Sequence, residues 1–268
     1  MDQIRAIVSG IGGRMGRLVA EGVRAAPDLL LVGGVDPAFA GSDIGDKIFG
    51  QRSGLRVDGD VGSAIGRVTP HVMVDFTAPG AVMENLRQAL TRRVACVVGT
   101  TGLSGGDLEE VARLCQENAT PALVAPNFSV AACLMMRFAA EAAVRFGYAQ
   151  VMEFHHAGKK DAPSGTALAT AERMARARGT EMAFPQPERF TLDGVMGGRF
   201  SGIGVHAARM DGVVADQRVM FGGPGETLTV EHRTTSRECF IPGVLLAVRH
   251  VLKQEGLVFG LEKLLEAY

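Results

Sequence analysis

The sequence predicts an α/β fold: a doubly wound parallel sheet, followed by a second α+β domain with a mixed or antiparallel sheet. Two observations predict it. In the first half, short continuous apolar runs alternate with segments of helical period, the pattern of parallel strands covered on both faces. After Pro126-Asn127 the style changes to one long apolar helix and then to runs that alternate or turn at glycines. With 268 residues, 47% of them apolar, the chain can bury one large core or two modest ones.

The elements follow in order. Ile4 to Ser9 is a strand-length apolar run that breaks into Gly10-Ile11-Gly12-Gly13-Arg14-Met15-Gly16. A helix through Arg24 follows, with Met15, Leu18, Val19 and Val23 at helical spacing, ended by Pro27-Asp28. Leu29 to Val35 is a second strand and closes on Asp36, which completes a βαβ unit. Val72 to Phe76 and Val94 to Val98 read as buried strands, Ala81 to Leu90 and Gly106 to Asn118 as helices, and Ala122 to Ala125 as a short strand. Val130 to Phe146 is a long apolar helix, Val151 to His155 a strand and Ser164 to Arg178 a helix. Three later runs, Gly202 to Met210, Val213 to Phe221 and Thr227 to Thr234, are strands. Asp211-Gly212 joins the first two as a predicted hairpin. Pro242 to Lys253 is helical and packs back on the first domain.

Composition excludes several classes. The formal net charge is −1, so no global field selects nucleic acid or acidic membranes, and tryptophan is absent, which removes the strongest base-stacking platform. No apolar segment is long enough to span a bilayer, and the amino terminus lacks the pattern of a signal peptide, so a cytoplasmic location is expected. Cys96, Cys115, Cys133 and Cys239 form no C-x-x-C pair and read as free thiols.

Gly10, Gly13 and Gly16 form a G-x-x-G-x-x-G array between a strand and a helix. Glycines there allow a sharp turn and close approach of a pyrophosphate to the helix amino terminus. Asp36 follows the last glycine by 20 residues and can accept hydrogen bonds from ribose hydroxyls, which makes the first domain Rossmann-like and dinucleotide-binding. Arg14 stands as a cation beside the phosphates or as a solvated first-turn residue. A carboxylate at Asp36 repels a 2′-phosphate, and Pro37 supplies no cation. NADH is therefore expected first, with NADPH possible through a loop cation such as Lys47 or Arg52. Phe76-Thr77 and Gly99-Thr100-Thr101 close two parallel strands and are expected to line the cleft near the ribose and nicotinamide. Asn127-Phe128 is a cleft and hinge candidate.

The densest polar segment is Glu153 to Ala167. His155 and His156 point to opposite faces of a strand and can hold different roles. A histidine suits proton transfer near neutral pH. Lys159 supplies a point charge or a proton, and Ser164-Gly165-Thr166 opens a helix whose amides bind anions. Together they describe a pocket for a small carboxylated substrate. Adjacent histidines do not present a metal-ligand pair, and His206 and His232 read as strand or rim residues, so no metal is expected.

These segments resemble the 4-hydroxy-tetrahydrodipicolinate (dihydrodipicolinate) reductases of the diaminopimelate route to lysine. The resemblance rests on Gly10 to Gly16, Asp75-Phe76-Thr77, Val98 to Gly102, Pro126 to Ser129, Gly225-Glu226, His232 and above all Glu153 to Ala167. It implies that His155 donates or accepts a proton, that Lys159 donates one, and that His156, Gly165 and Thr166 contact a small dicarboxylate substrate. It also implies that Gly10, Ile11, Gly12, Gly13, Arg14, Met15, Asp36, Phe76, Gly99, Thr100, Thr101, Ala125, Pro126, Asn127 and Phe128 contact the cofactor. A dinucleotide-binding domain over 1–126, completed by 237–268, a substrate-binding and oligomerisation domain over 127–236, hinges near Asn127 and Ser236, and a homotetramer are implied too. Three features depart from the family: Pro37 stands where many members carry a basic residue, Ala157-Gly158 replaces bulkier or basic residues, and 180–199 fits loosely. Two other functions compete, another amino-acid or semialdehyde dehydrogenase and a non-catalytic or drifted dinucleotide-binding redox sensor. The Glu153 to Ala167 segment argues against the first, and the lack of an effector module against the second.

Overall fold

A computed structural model describes residues 3–265. The chain divides into two compact units. Residues up to Val130, with those from Phe240 onward, form one, and Ala131–Cys239 form the other.

The first unit begins β1 (Ile4–Ser9), α1 (Arg14–Ala25) and β2 (Leu29–Val35). β3 (Val57–Asp58), α2 (Val61–Val68), β4 (Val72–Asp75), α3 (Pro79–Leu90), β5 (Ala95–Val98), α4 (Gly105–Asn118) and β6 (Ala122–Val124) follow. In the second unit lie α5 (Val130–Ala143, which starts one residue earlier), β7 (Tyr148–His155), α6 (Gly165–Arg178), β8 (Gly198–Phe200), β9 (Ile203–Arg209), β10 (Ala215–Gly223) and β11 (Glu226–Thr234). α7 (Ile241–Val251), β12 (Leu257–Phe259) and α8 (Glu262–Leu265) return to the first unit.

All seven strands of the first sheet run parallel in the order β12-β6-β5-β4-β1-β2-β3. The chain winds outward from β1 to β3, then returns to β4 on the other side of β1, so the topological switch point lies between β1 and β4. The strands end in register. Phe259, Val124, Val98, Asp75, Ser9, Val35 and Asp58 form one transverse row.

The helices form where apolar residues recur on one face. α1 buries Gly16, Val19, Ala20 and Val23, an i, i+3, i+4, i+7 set. α3 buries Val82, Leu86, Ala89 and Leu90 in the cluster that also holds Met73, Cys96 and Val98. Each fully buried leucine contributes roughly 1.5–3 kcal/mol of transfer free energy. Gly22 has no room for a side chain, because a Cβ there would lie 2.4 Å from Cγ2 of Ile241. The absence of that carbon seats α7 against α1.

The second sheet has the order β11-β10-β7-β9-β8. β9 runs parallel to β7 on one side, and β10 antiparallel to it on the other. The predicted Asp211-Gly212 hairpin is therefore not one: β9 and β10 do not pair, and the turn carries the chain across the end of β7. The two-residue hairpin is instead Pro224-Gly225 between β10 and β11, with Gly223 opposite Glu226 and Gly225 at φ +76°. Proline followed by a left-handed glycine is the residue order of a type II turn. β3, α2, β8, β12 and α8 were not anticipated. Among the described residues no helix is long and apolar enough to cross a membrane. Cys96, Cys115 and Cys133 are buried, and Cys239 is half-buried.

Candidate active site

In the first unit, the residues after β6, β5, β4, β1 and β2 of the transverse row are Ala125, Gly99, Phe76, Gly10 and Asp36. Backbone bonds hold them there: the Gly10 amide donates to Val35 O (2.8 Å), Phe76 to Ser9 O (3.1 Å), Gly99 to Asp75 O (2.9 Å) and Ala125 to Val98 O (3.0 Å). Gly10 has φ +76°, and a Cβ on it would lie 2.5 Å from Phe76 O. At Gly16 a Cβ would lie 2.0 Å from Gly10 O. The loop can thus fold tightly onto α1 only with glycine at both places.

Gly13 caps α1 without a side-chain hydrogen bond, and no acidic residue stands in the first turn. α3, on the other side of the switch point, likewise starts without a side-chain cap. By contrast α2, α4 and α6 are capped by Asp60, Ser104 and Ser164. First-turn amides have no intrahelical acceptor, so α1 presents N–H groups and a positive dipole end suited to phosphate. Arg14 is exposed there and Met15 half-buried. The glycine loop therefore fits a pyrophosphate.

Asp36 is held at both oxygens. Oδ2 accepts from the Gly12 amide (3.0 Å) and Oδ1 from the Ala38 amide (3.0 Å), the latter opening a 3-10 turn over Pro37–Phe39. The Phe39 ring lies against Gly12, where a Cβ would come within 2.1 Å of it. The two cations expected to offset Asp36, Lys47 and Arg52, lie on the segment between β2 and β3. Arg52 lines a cleft with Gln3, Pro27 and Leu29, at the amino end of β2 rather than the carboxyl end. Lys47 sits in a π-helical turn, Gly45–Phe49, whose Phe49 packs under Arg24 in the last turn of α1.

Four predicted residues of this cleft have buried side chains: Ile11, Thr100, Ala125 and Phe128. Ile11 fills the space over Gly34, and the Thr100 hydroxyl is taken up internally by Asp75 and Thr77. Only the backbone of such residues is offered to a ligand. Gly99 leaves space for the Phe76 ring, which packs on Phe128 at 5.7 Å between centroids. Thr101 and Pro126 are exposed, and Asn127 Oδ1 accepts from the Ser129 amide (2.8 Å).

In the second unit, Glu153, His155 and the start of α6 gather at the carboxyl end of β7. Glu153 is buried, and both of its oxygens are fully used. Oε1 accepts from Arg209 Nη2 (2.8 Å) and the Ser164 amide (3.0 Å), and Oε2 from Arg209 Nη1 (2.9 Å), while His155 Nδ1 faces Oε2 at hydrogen-bond distance. Burial raises the Glu153 pKa, but the Arg209 guanidinium, His155 and the Ser164 amide together outweigh it and hold the group below its ordinary value. A carboxylate facing Nδ1 keeps a proton on that nitrogen, which leaves Nε2 as the ring nitrogen that carries the lone pair.

Lys159 Nζ donates to both oxygens of Asp161 (2.7 and 2.9 Å), and this bond holds the Asp161 carboxyl below its usual range. Arg209 also donates to Asp161 O (2.6 Å), so one guanidinium ties the lysine loop to Glu153. Ser164 caps α6 by accepting from the Ala167 amide (3.2 Å), and the Gly165 and Thr166 amides of the first turn lie beside it. His156 is exposed just beyond β7. Arg209 and Asp161 carry parts of this arrangement that the sequence reading did not assign. Asp161 lies inside the Glu153 to Ala167 segment, but Arg209 has no local signal. His206 and His232 lie on β9 and β11, with β7 and β10 between them. His206 Nε2 pairs with Gln150 Oε1 (2.7 Å).

A family model described as dihydrodipicolinate reductase, N-terminus, matches residues 4–128, and one described as dihydrodipicolinate reductase, C-terminus, matches 131–265. The chain is 46% identical over 263 residues to the 4-hydroxy-tetrahydrodipicolinate reductase of Moorella thermoacetica, covering 98% of each. It is 42% identical over 271 residues to that of Synechocystis sp., again covering 98% of each. A solved structure, dipicolinate-bound dihydrodipicolinate reductase from Paenisporosarcina sp. TG-14, matches with a TM-score of 0.86 at 34% identity, over 97% of this chain and 99% of that one. The chain thus belongs to the dihydrodipicolinate reductase family, NAD(P)H-dependent oxidoreductases that reduce 4-hydroxy-tetrahydrodipicolinate in lysine biosynthesis via diaminopimelate.

Proposed function

We propose that the chain reduces its substrate with NADH in preference to NADPH, that the first unit carries the dinucleotide, and that the second binds a small dicarboxylate and delivers protons to it. When bound, the dinucleotide supplies a hydride. The Gly10 to Met15 loop and the α1 amino terminus hold its pyrophosphate, and Asp36 accepts from its ribose hydroxyls. Phe76, the Gly99 to Thr101 turn and the Ala125 to Phe128 turn line its other end.

The preference for NADH is supported by the double tether on Asp36. A carboxylate fixed by two backbone amides has little freedom to swing away from a 2′-phosphate, and Pro37 brings no compensating charge.

One observation carries the substrate half: His155, Lys159 and the amides of Gly165 and Thr166 converge at the carboxyl end of β7, around a buried carboxylate that is itself fully paired. In this reading the α6 amino terminus and His156 bind substrate carboxylate, and the solved relative, which binds dipicolinate, supports a small dicarboxylate as the ligand class. Glu153 keeps the Nδ1 proton of His155 in place, so Nε2 can hand over or accept a proton. Lys159, released from Asp161 when a substrate carboxylate competes for it, donates a second. A homotetramer built on the second sheet belongs to the same reading, with Tyr148 an exposed aromatic side chain on β7.

The test measures oxidation of NADH and of NADPH at 340 nm, with substrate generated by enzymatic condensation of pyruvate and aspartate semialdehyde. NADH should be used faster, and Asp36→Ser should narrow the ratio. Lys159→Met should lose roughly 10²–10⁴-fold in turnover with its NADH affinity unchanged. Faster use of NADPH by the unaltered chain would overturn the cofactor preference, and full turnover by Lys159→Met would overturn the proton-donor role.

A further inference from the structure

Asp75 is fully buried at the end of β4, beside the topological switch point, and among the described residues its carboxylate accepts from neutral donors alone. Oδ1 accepts from the Thr77 amide (3.1 Å), the Thr77 hydroxyl (2.7 Å) and the Thr100 hydroxyl (2.6 Å). Oδ2 accepts from Asn85 Nδ2 (2.8 Å), which also reaches Ser9 Oγ (3.2 Å). The Thr100 hydroxyl in turn accepts from the Thr77 amide (2.8 Å), closing a small ring of bonds.

Burying a carboxylate without a cation is costly, and a neutral residue of similar shape would fill the space more cheaply. What this carboxylate gains is geometry. Its partners are Ser9 at the end of β1 (through Asn85), Thr77 after β4 and Thr100 after β5. These three chain ends lie on one row, and Phe76 and Thr100 belong to the proposed cofactor set. None of its bonds reaches the glycine loop or Asp36.

We propose that Asp75 is a positioning residue for the nicotinamide half of the dinucleotide. It fixes Phe76-Thr77 and the Gly99 to Thr101 turn relative to β1, while the adenosine half is held by the glycine loop and Asp36, to which Asp75 makes no hydrogen bond. This inference rests on the reading that a nicotinamide dinucleotide lies across the strand ends. The buried carboxylate acts through Thr77 and Thr100 and touches neither ring nor hydride.

The test is calorimetric titration of NADH and of ADP-ribose, which lacks the nicotinamide, into the full chain and two variants. Asp75→Ala removes all four bonds. Thr100→Val removes one strut with almost no change of shape and decides the matter if Asp75→Ala does not fold. Asp75→Ala should weaken NADH roughly tenfold or more and Thr100→Val about threefold, magnitudes of one displaced hydrogen bond or less. Affinity for ADP-ribose should stay within about twofold for both. Equal weakening of both ligands would mean a merely structural role and overturn the inference, as would unchanged affinity for both. Failure of the unaltered chain to bind NADH would instead overturn the dinucleotide reading.

Discussion

Replacing Glu153 by glutamine tests the second unit at its most constrained point. Four donors converge on the Glu153 carboxylate, two from Arg209 and one each from His155 and the Ser164 amide. A glutamine amide can replace only one oxygen, and its NH₂ must then face donors. With the NH₂ at the Oε1 position it opposes the Ser164 amide and Arg209 Nη2, and neither can become an acceptor. At the Oε2 position it opposes Arg209 Nη1 and His155 Nδ1, and the imidazole can shift its proton to Nε2 and accept. The second arrangement should win, and it reverses the tautomer of His155. Arg209 keeps Ala208 O (2.7 Å) and Asp161 O (2.6 Å), so the loss of stability should fall below the 3–5 kcal/mol typical of a broken buried pair, at about 2–3 kcal/mol. That corresponds to a fall in Tm of roughly 4–12 °C. Turnover should drop further than stability suggests, by about 10²–10⁴-fold, because the Nδ1–H tautomer that lets Nε2 take up and hand over a proton is lost. Thermal unfolding gives the first quantity, NADH oxidation the second, and ¹⁵N chemical shifts of the imidazole report the tautomer directly. A Glu153→Gln chain with turnover within threefold of the original, or with the proton still on Nδ1, would refute the assignment of Nε2 as the working nitrogen.

Two further outcomes follow from the same physics. Burial pushes the His232 pKa down from 6.5 against the opposing charge of Asp216, so the unfolded chain binds that proton more readily. Stability should therefore be full above about pH 6.5 and begin to fall below it, and His232→Gln should remove that first decline in a pH series of denaturant titrations. Glu153 and Asp161 are also depressed, and Asp28 is lowered to about 2 by Arg249, so their contributions are present above their unfolded values and lost as pH falls through the folded ones. A steeper second decline should start below about pH 4.5; the exposed Asp28–Arg249 pair should add little to it because solvent screens it. Gly16→Ala should destabilise the chain by about 1–3 kcal/mol, since its Cβ would meet backbone at Gly10 and Ile11 that cannot rotate away. Because relief requires the phosphate loop to move, calorimetry should show NADH affinity falling with Tm; a stable variant with unchanged affinity would contradict the close packing of that loop.

The parts of the fold that were legible in the sequence are those whose signals are local. A strand that ends in a glycine turn and enters an amphipathic helix announces itself within 20 residues, and so do the strands ending at Ser9, Val35, Asp75 and Val98. Where the signal was weak, the element was missed for a physical reason. β3 pairs through two residues and β12 through three, too short for any periodicity. α2 carries Gly62 and Gly66 in eight residues, which suppresses helical propensity; its one clear mark is Asp60 accepting from the Ser63 amide as a cap. The chemistry-bearing residues of the second unit were visible because they crowd into one turn, but Arg209, which organises them, lies 56 residues from Glu153.

The failed hairpin and the missed arginine have one cause. Asp211-Gly212 is a sound local turn signal, and pairing the strands on either side of it is the cheapest local outcome. That pairing would place Arg209 on a strand beside β10 rather than beside β7. The structure inserts β7 between them, so β9 runs parallel to β7 with Arg209 opposite His155, and the Met210 amide donates to His155 O (3.0 Å) as the chain crosses over. Glu153 and His155, two residues apart on one face of β7, then face a guanidinium that no hairpin could bring there. The non-local strand order, which no window of the sequence encodes, is what turns a histidine and a carboxylate into an oriented pair.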